Sequence, residues 1–207
     1  LEDGGPRVGA EGARLLFARQ GLALSSDRYN SGGGGAAVTT PARAAEDFLN
    51  SDGSYDWSRD RGGRTFLKYA AKYRVKDLIG FVNSAPAQWT TNGQSCGGRL
   101  KPENEADYAK YVADVTDHFA RQGVKLDYIS PFNEPDNDFG DCGQEGMKVT
   151  VDQRDDIVRA LGAEQRARKQ KTSIIADESS QTTQFVSELP QWISQPGTRN
   201  YVSALAH

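Results

Sequence analysis

The sequence predicts an α/β protein with a parallel sheet, and it favours an eight-stranded β/α barrel. Short apolar segments alternate with amphipathic helical segments, and parallel strands need such crossover helices. Polar residues follow the predicted strands. A barrel gathers all of these strand ends at one mouth, whereas a doubly wound sheet gathers only those at its switch point. The doubly wound sheet would be complete in 207 residues, whereas a barrel typically needs about 250.

The composition indicates one folded domain. Of the 207 residues, 37% are hydrophobic and 26% are charged, which suits a single soluble core. We therefore expect residues 1–207 to form one domain. The formal net charge of −3 indicates no basic surface for nucleic acid. The sequence contains no run of about 18 apolar residues, the length that a membrane-spanning helix needs.

Cysteine and histidine are too scarce for most metal and redox sites. Cys96 and Cys142 do not form a Cys-x-x-Cys motif, and only His118 and His207 could join them. Glycines cluster at residues 32–35, but the Gly-Lys-Ser/Thr ending of a phosphate loop is missing. We expect neither a metal nor a cofactor.

The first half of the chain contains two predicted helix–strand pairs. Residues 10–20 place apolar side chains on one side of a helix and precede Gly21, a typical helix stop. Residues 22–30 predict the strand that follows. Residues 65–73 show helical spacing, and residues 77–82 form the next apolar strand.

The second half repeats the alternation. A helix begins near Pro102 with one apolar stripe, and Thr150 with Gln153 forms a capping-box signature for the next helix. Residues 172–176 and 200–207 predict two further strands, with a helical region between them.

The stretch at residues 128–135 is the strongest candidate for chemistry. A β-branched and aromatic run ends in Asn133-Glu134-Pro135. Pro135 has no N–H for a sheet ladder and favours extended backbone at Glu134, which predicts a carboxylate on a stiff strand end. An ordinary strand end with a solvated Glu would give the same tripeptide.

Five motifs in this order resemble glycoside hydrolase family 30, especially its endo-β-1,6-galactanase-like members. They are Arg28-Tyr29-Asn30 followed by glycines, Asn83-Ser84-x-Pro86-x-x-Trp89, residues 100–104, residues 129–135 and Gln144-Glu145-Gly146. The resemblance implies that the chain carries about strands two to six of a (β/α)8 catalytic barrel, and that additional polypeptide supplies the rest.

The resemblance also implies roles for residues. Glu134 would be the general acid/base of a retaining mechanism, and Asn133 would bind the 2-hydroxyl of the sugar. Arg28, with Asn30 near it, would keep the nucleophile ionised. A sugar face could stack on Trp89. Asn83, Glu178 and His207, which also lie at strand ends, are further candidates for substrate contacts.

The second carboxylate has two candidates. From the chain alone it is Glu178, because that residue ends the strand after Glu134 and adjacent strands lie about 4.8 Å apart. The resemblance instead implies a nucleophile at the end of the seventh strand, beyond His207, which leaves Glu178 as a cleft-lining contact or a helix-capping acid. We favour the second assignment.

Two classes of function follow. The first is an endo-acting hydrolase of β-linked polysaccharide; the relatives handle β-1,6-galactan, β-1,6-glucan, glucuronoxylan and glucosylceramide. The second is a carbohydrate-binding fragment that lacks the nucleophile.

Cys96 and Cys142 lie in loops at the same predicted mouth, so we expect a disulfide, with two free thiols as the alternative. A disulfide and a polymer substrate favour secretion.

Overall fold

The computed structural model describes residues 5–206, with side chains from residue 9 onwards. His207, a predicted substrate contact, lies outside the described residues. The main sheet has five parallel strands in the spatial order β1-β2-β4-β6-β7. They are β1 (Ser26–Asn30), β2 (Asp77–Phe81), β4 (Tyr128–Ser130), β6 (Ser173–Ile175) and β7 (Val202–Ala204).

Helices connect these parallel strands, as the alternation predicts. The connecting helices are α2 (Arg61–Lys72), α3 (Glu105–Arg121), α4 (Val151–Arg168), α5 (Thr182–Trp192) and α6 (Pro196–Tyr201), and α1 (Gly5–Phe17) precedes β1. The Thr150 hydroxyl caps α4 by accepting from Gln153 N at 3.4 Å. The Gln153 amide does not complete the capping box and donates to Leu100 O and Glu105 Oε1, both at 2.9 Å.

The two faces of the sheet differ in burial. Leu78, Ile129 and Ile174 belong to one buried apolar cluster with residues of α3 and α4 such as Phe119 and Leu161. Burial alternates along β1 and β2, because successive side chains of a strand point to opposite faces. We call the other face, with Arg28, Asn30, Ile79 and Phe81, the open face; these four side chains are exposed or half-buried. Within residues 5–206 the sheet is open, with β1 and β7 at its edges.

The loops beyond the strand ends form a second layer. Two short strands, β3 (Gly98–Arg99) and β5 (Met147–Lys148), pair in parallel and join the segments that follow β2 and β4. A disulfide between Cys96 and Cys142, with an S–S distance of 2.06 Å, links the same two segments. The glycine-rich segment after β1 is tied to them, because Thr39 N donates to Cys142 O at 2.9 Å and Ser95 N donates to Ala36 O at 3.1 Å.

Candidate active site

The loop that carries Glu134 is a turn and not an extended strand end. Strand β4 ends at Ser130, four positions before Glu134, and Glu134 has φ of 46° in the left-handed region. The prediction that Pro135 would hold Glu134 in extended backbone is therefore wrong. Asn137 N donates to Glu134 O at 3.0 Å and closes a turn, which outweighs the local preference of the residue before proline.

Glu134 and Glu178 are joined through their backbones. Glu134 N donates to Glu178 O at 2.8 Å, so the loops after β4 and β6 are in direct contact. Glu178 also has a positive φ, 53°. A left-handed non-glycine residue costs about 1 to 3 kcal/mol, and such residues concentrate at functional sites. Seven further non-glycine residues of the described chain share this backbone region, so the strain does not by itself distinguish these two carboxylates.

A cavity of about 430 Å³ brings several predicted residues together. We call it the mouth cavity; its lining includes Arg28, Asn133, Glu134, Glu178 and Ser180. Arg28 reaches across it, since Arg28 Nη2 donates to Glu178 Oε1 at 2.8 Å and to Asn133 Oδ1 at 3.3 Å. The guanidinium also lies over the Phe81 ring, 4.0 Å from its centroid. One cation thus orients an amide and a carboxylate from two different strand ends.

The Glu178 carboxyl is buried, and its negative charge is only partly compensated by neighbouring groups. Its side chain is 8% exposed, and its Oε2 has no well-aligned hydrogen-bond partner within the described residues. Burial raises the pKa of Glu178 above its ordinary value, while the charge of Arg28 and the nearby Ser130 hydroxyl act in the opposite direction. The Glu134 carboxylate is more accessible and accepts from Asn137 Nδ2 at 3.1 Å.

A buried ion cluster supports the Glu178 segment from behind. Arg154 of α4 contacts Asp177 Oδ1 at 2.9 Å and Glu188 of α5 at 2.6 Å, and both Arg154 and Asp177 are almost fully buried. Ser179 Oγ donates to Asp177 Oδ2 at 2.7 Å. Sequence reasoning did not identify Arg154, because an arginine in the first turns of a helix gives no local sign that it is buried.

Glu145 forms another buried carboxylate site, in the loop layer. Its Oε1 accepts from Gly33 N at 2.9 Å and Gly35 N at 3.0 Å, and its Oε2 accepts from Ala45 N at 3.2 Å. Burial raises the pKa of Glu145, and these N–H groups with the Asn30 side chain oppose the rise. Glu145 therefore anchors the glycine-rich segment that follows β1.

Three predicted residues do not line the mouth cavity. Asn30 Oδ1 accepts from Asn83 N at 3.3 Å, so these two asparagines meet at the ends of β1 and β2. Trp89 is half-buried and packs edge-on against Tyr111, with ring centroids 6.0 Å apart. Their substrate contacts stay predictions.

A second cavity of about 390 Å³ borders Glu134. We call it the loop cavity; its lining includes Arg43, Glu134, Asn137, Asp138, Asp141 and Gln144. Glu134 is the single residue that lines both cavities.

Within residues 5–206 no group of three or more His, Cys, Asp and Glu residues is arranged to hold a metal ion. No helix of this part of the chain is both long and apolar enough to cross a bilayer.

Comparison with known proteins identifies a relative with a named activity and a similar solved structure. Over 163 residues the chain is 31% identical to an exo-β-1,6-galactobiohydrolase of Bifidobacterium longum subsp. longum, a match that covers 70% of this chain and 11% of that protein. The crystal structure of a conserved exported protein from Bacteroides fragilis is 26% identical, with a TM-score of 0.82 over 91% of this chain and 44% of that one.

A more distant structure supports the fold alone. The catalytic domain of GH30 xylanase C from Talaromyces cellulolyticus is 20% identical, with a TM-score of 0.74 over 97% of this chain and 48% of that domain. The chain thus spans less than half the length of each of these relatives. Residues 17–195 match the sequence profile of O-glycosyl hydrolase family 30. This match covers most of the chain, and the chain belongs to O-glycosyl hydrolase family 30.

Proposed function

We propose that this chain forms the acid/base half of a retaining glycoside hydrolase that cleaves β-1,6-linked galactan. The observation that carries the proposal is the mouth cavity, in which Glu134 lies with Arg28, Asn133 and Glu178 beyond the carboxyl ends of parallel strands. Barrel enzymes place their catalytic groups at this end of the strands. The similarity to a β-1,6-galactobiohydrolase supports the choice of linkage.

In this proposal Glu134 protonates the glycosidic oxygen and later deprotonates the attacking water. Its half-exposed carboxylate can reach a bound sugar, and Asn137 holds one of its oxygens. Asn133 binds the sugar 2-hydroxyl while Arg28 fixes the Asn133 carbonyl oxygen, which leaves the Asn133 amide free to donate. Glu134 therefore has the reach and the neighbours that acid/base catalysis needs.

Glu178 is better suited to holding Arg28 than to attacking an anomeric carbon. One oxygen of Glu178 is in the Arg28 ion pair and the other is buried. A nucleophile must instead present a free oxygen to the anomeric carbon, with its carboxyl group about 5 to 5.5 Å from that of the acid. We infer that the nucleophile comes from additional polypeptide, and that the chain supplies about strands two to six of a (β/α)8 barrel. The open edges at β1 and β7 support this inference.

Secretion belongs to the same proposal. A disulfide persists in an oxidising compartment, and the Cys96–Cys142 bridge is therefore consistent with an extracellular enzyme that meets polymeric substrate.

The test is Glu134→Gln in an active polypeptide that carries this chain, with the exposed Glu103→Gln as the matched control. We expect Glu134→Gln to lower kcat/KM on β-1,6-galactan by at least about 100-fold, because general acid catalysis contributes about 10² to 10⁴. Glycosylation by substrates with good leaving groups should persist, since these need no proton. An unchanged rate on galactan would overturn the assignment. Binding of galactan by the wild type without cleavage would leave a carbohydrate-binding role.

A further inference from the structure

Arg154 is a buried cation that contacts two separate segments behind the mouth cavity. It lies in the first turns of α4, and its side chain is almost fully buried. Its Nη1 donates to Asp177 Oδ1 at 2.9 Å, and Asp177 directly precedes Glu178. Its Nε donates to Val149 O at 3.2 Å. One guanidinium therefore holds the loop after β6 and the segment that leads into α4.

Val149 extends this contact to the loop that carries Glu134. Val149 N donates to Pro135 O at 2.9 Å, and Glu134 N donates to Glu178 O at 2.8 Å. Together with the peptide bonds, these contacts close a ring that consists of Glu134, Pro135, Val149, Arg154, Asp177 and Glu178. Within this ring the contact between Arg154 and Asp177 is the one link made by two side chains. Arg154 therefore controls whether the ring is closed.

Asp177 accepts hydrogen bonds through both of its oxygens. Arg154 donates to Oδ1, and Ser179 Oγ donates to Oδ2 at 2.7 Å, which suits an ionised carboxylate. Burial raises the pKa of Asp177, and the charge of Arg154 opposes this rise. Glu188 adds a second carboxylate, 2.6 Å from Arg154 Nη2. Arg154 thus stabilises the charged form of Asp177 that the ring uses.

Stability alone is a weak reason for burying this ion cluster. The cost of removing charges from water commonly offsets their attraction, and apolar side chains of similar volume are often as stable. A guanidinium offers something else, since its N–H groups point in fixed directions. Arg154 uses two of these directions to join two loops. The arrangement therefore favours a role in geometry.

We propose that Arg154 is a positioning residue for Glu134, which fixes the loops after β4 and β6 relative to each other. The inference rests on the proposed hydrolase function and adds to it a residue that acts through these loops. An acid must lie within hydrogen-bond reach of the oxygen that it protonates, and a displacement of about 1 Å can lower a rate about 100-fold. Opening of the ring therefore impairs proton transfer from Glu134.

Arg154→Lys tests the ring while the buried positive charge is kept. Lysine has a methylene group where arginine has Nε, so the bond to Val149 O is lost, whereas Nζ can still pair with Asp177. In an active polypeptide carrying this chain, we compare kcat/KM for β-1,6-galactan with kcat/KM for a β-galacto-oligosaccharide that has a dinitrophenyl leaving group. The ratio of the first to the second should fall about 10-fold or more, because only galactan needs the proton of Glu134. Arg159→Lys, at an exposed position of the same helix, is the matched control and should leave the ratio unchanged.

Amide hydrogen exchange measures the ring without the use of activity. In Arg154→Lys, the amides of Val149 and Glu134 should exchange at least about 10-fold faster than in the wild type, because local opening has one bond fewer to break. A neutral variant, Arg154→Met/Asp177→Asn/Glu188→Gln, opens the ring without leaving an unpaired buried charge. It should show the same two effects, and it replaces Arg154→Lys if that variant does not fold.

The two measurements separate the possible failures. Unchanged exchange of the Val149 and Glu134 amides overturns the ring. An unchanged ratio, or an equal loss on both substrates, overturns the positioning role, since an effect on stability alone would lower both rates together. A wild type that cleaves neither substrate overturns the hydrolase function and the positioning role with it, while the exchange rates still test whether Arg154 joins the two loops.

Discussion

At the scale of single residues, the site depends on Arg28 more than its exposed position suggests. The guanidinium contacts Asn133, Glu178 and the Phe81 ring at the same time. Glu178 is buried beside it, so the charge of Arg28 is the main influence that keeps the pKa of Glu178 from rising further. The protonation of Glu178 is therefore coupled to Arg28.

This coupling predicts a change in the pH dependence of stability. Because burial raises the pKa of Glu178, the folded state binds its proton more tightly than the unfolded chain does, and stability falls as the pH rises from the ordinary carboxyl range through the raised pKa. Arg28→Met removes the opposing charge and should extend this fall towards neutral pH. Urea unfolding of the active polypeptide between about pH 4 and pH 8 would measure it.

The control for this prediction is Glu178→Gln in the Arg28→Met background. This second change removes the titrating group, so the extra fall in stability should disappear. Parallel stability curves for the wild type and Arg28→Met would contradict the coupling.

The sequence predicted that side chains following the parallel strands would lie together at one mouth, whereas their catalytic and substrate-binding roles stay predictions. Arg28, Asn133, Glu134 and Glu178 all line the mouth cavity, since parallel strands deliver their carboxyl ends to one edge. The left-handed backbone of Glu134 was not predictable, because the hydrogen bond to Glu178 that accompanies it comes from a residue 44 positions away. The packing of Trp89 on Tyr111 likewise depends on the position of α3.

At the scale of elements, the loop layer is fixed by covalent and polar links and has little regular structure. Its strands β3 and β5 have two residues each. The Cys96–Cys142 bridge, the Glu145 carboxylate and the Arg43–Gln144 contact supply the remaining links. Capping and periodicity predicted α3, α4 and their strands, but α6 was missed because its six residues are too few to show a helical period.

Removal of the disulfide should therefore loosen the loop layer. The bridge closes a loop with a sequence separation of 46 residues, which the chain-entropy relation converts to about 4 kcal/mol. We expect the Cys96→Ser/Cys142→Ser variant to lose up to about that free energy of unfolding in denaturant titrations. Reductant should destabilise the wild type similarly and leave the variant unaffected. Two titratable thiols in the unreduced, denatured protein would contradict the bridge.

At the scale of the whole molecule, the sheet has unsatisfied edges and a partly bare face. Strands β1 and β7 each lack a neighbour on one side within residues 5–206, and Ile79 and Phe81 are half-exposed on the open face. Leu22, Leu24 and Leu205, close to these edges in sequence, are 70%, 42% and 40% exposed. Unpaired edges and exposed apolar groups promote association between chains.

We therefore expect a polypeptide of residues 1–207 alone to aggregate and to show no hydrolysis above background. Light scattering after size-exclusion chromatography, thermal unfolding and galactan cleavage would measure these properties. A longer active polypeptide carrying the chain is the control. A soluble monomer of residues 1–207 that melts cooperatively and cleaves glycan would show that the barrel register or the catalytic assignment is wrong.

The bond from Glu134 N to Glu178 O has a consequence for how this site can be altered. It joins two peptide groups, so it uses neither carboxylate, and proline at position 134 would remove the donor. Protein engineers can therefore exchange either carboxylate for a residue that suits left-handed backbone, such as asparagine, and keep the bond that sets the spacing of the two loops. The chemistry at this mouth is replaceable while its frame is kept.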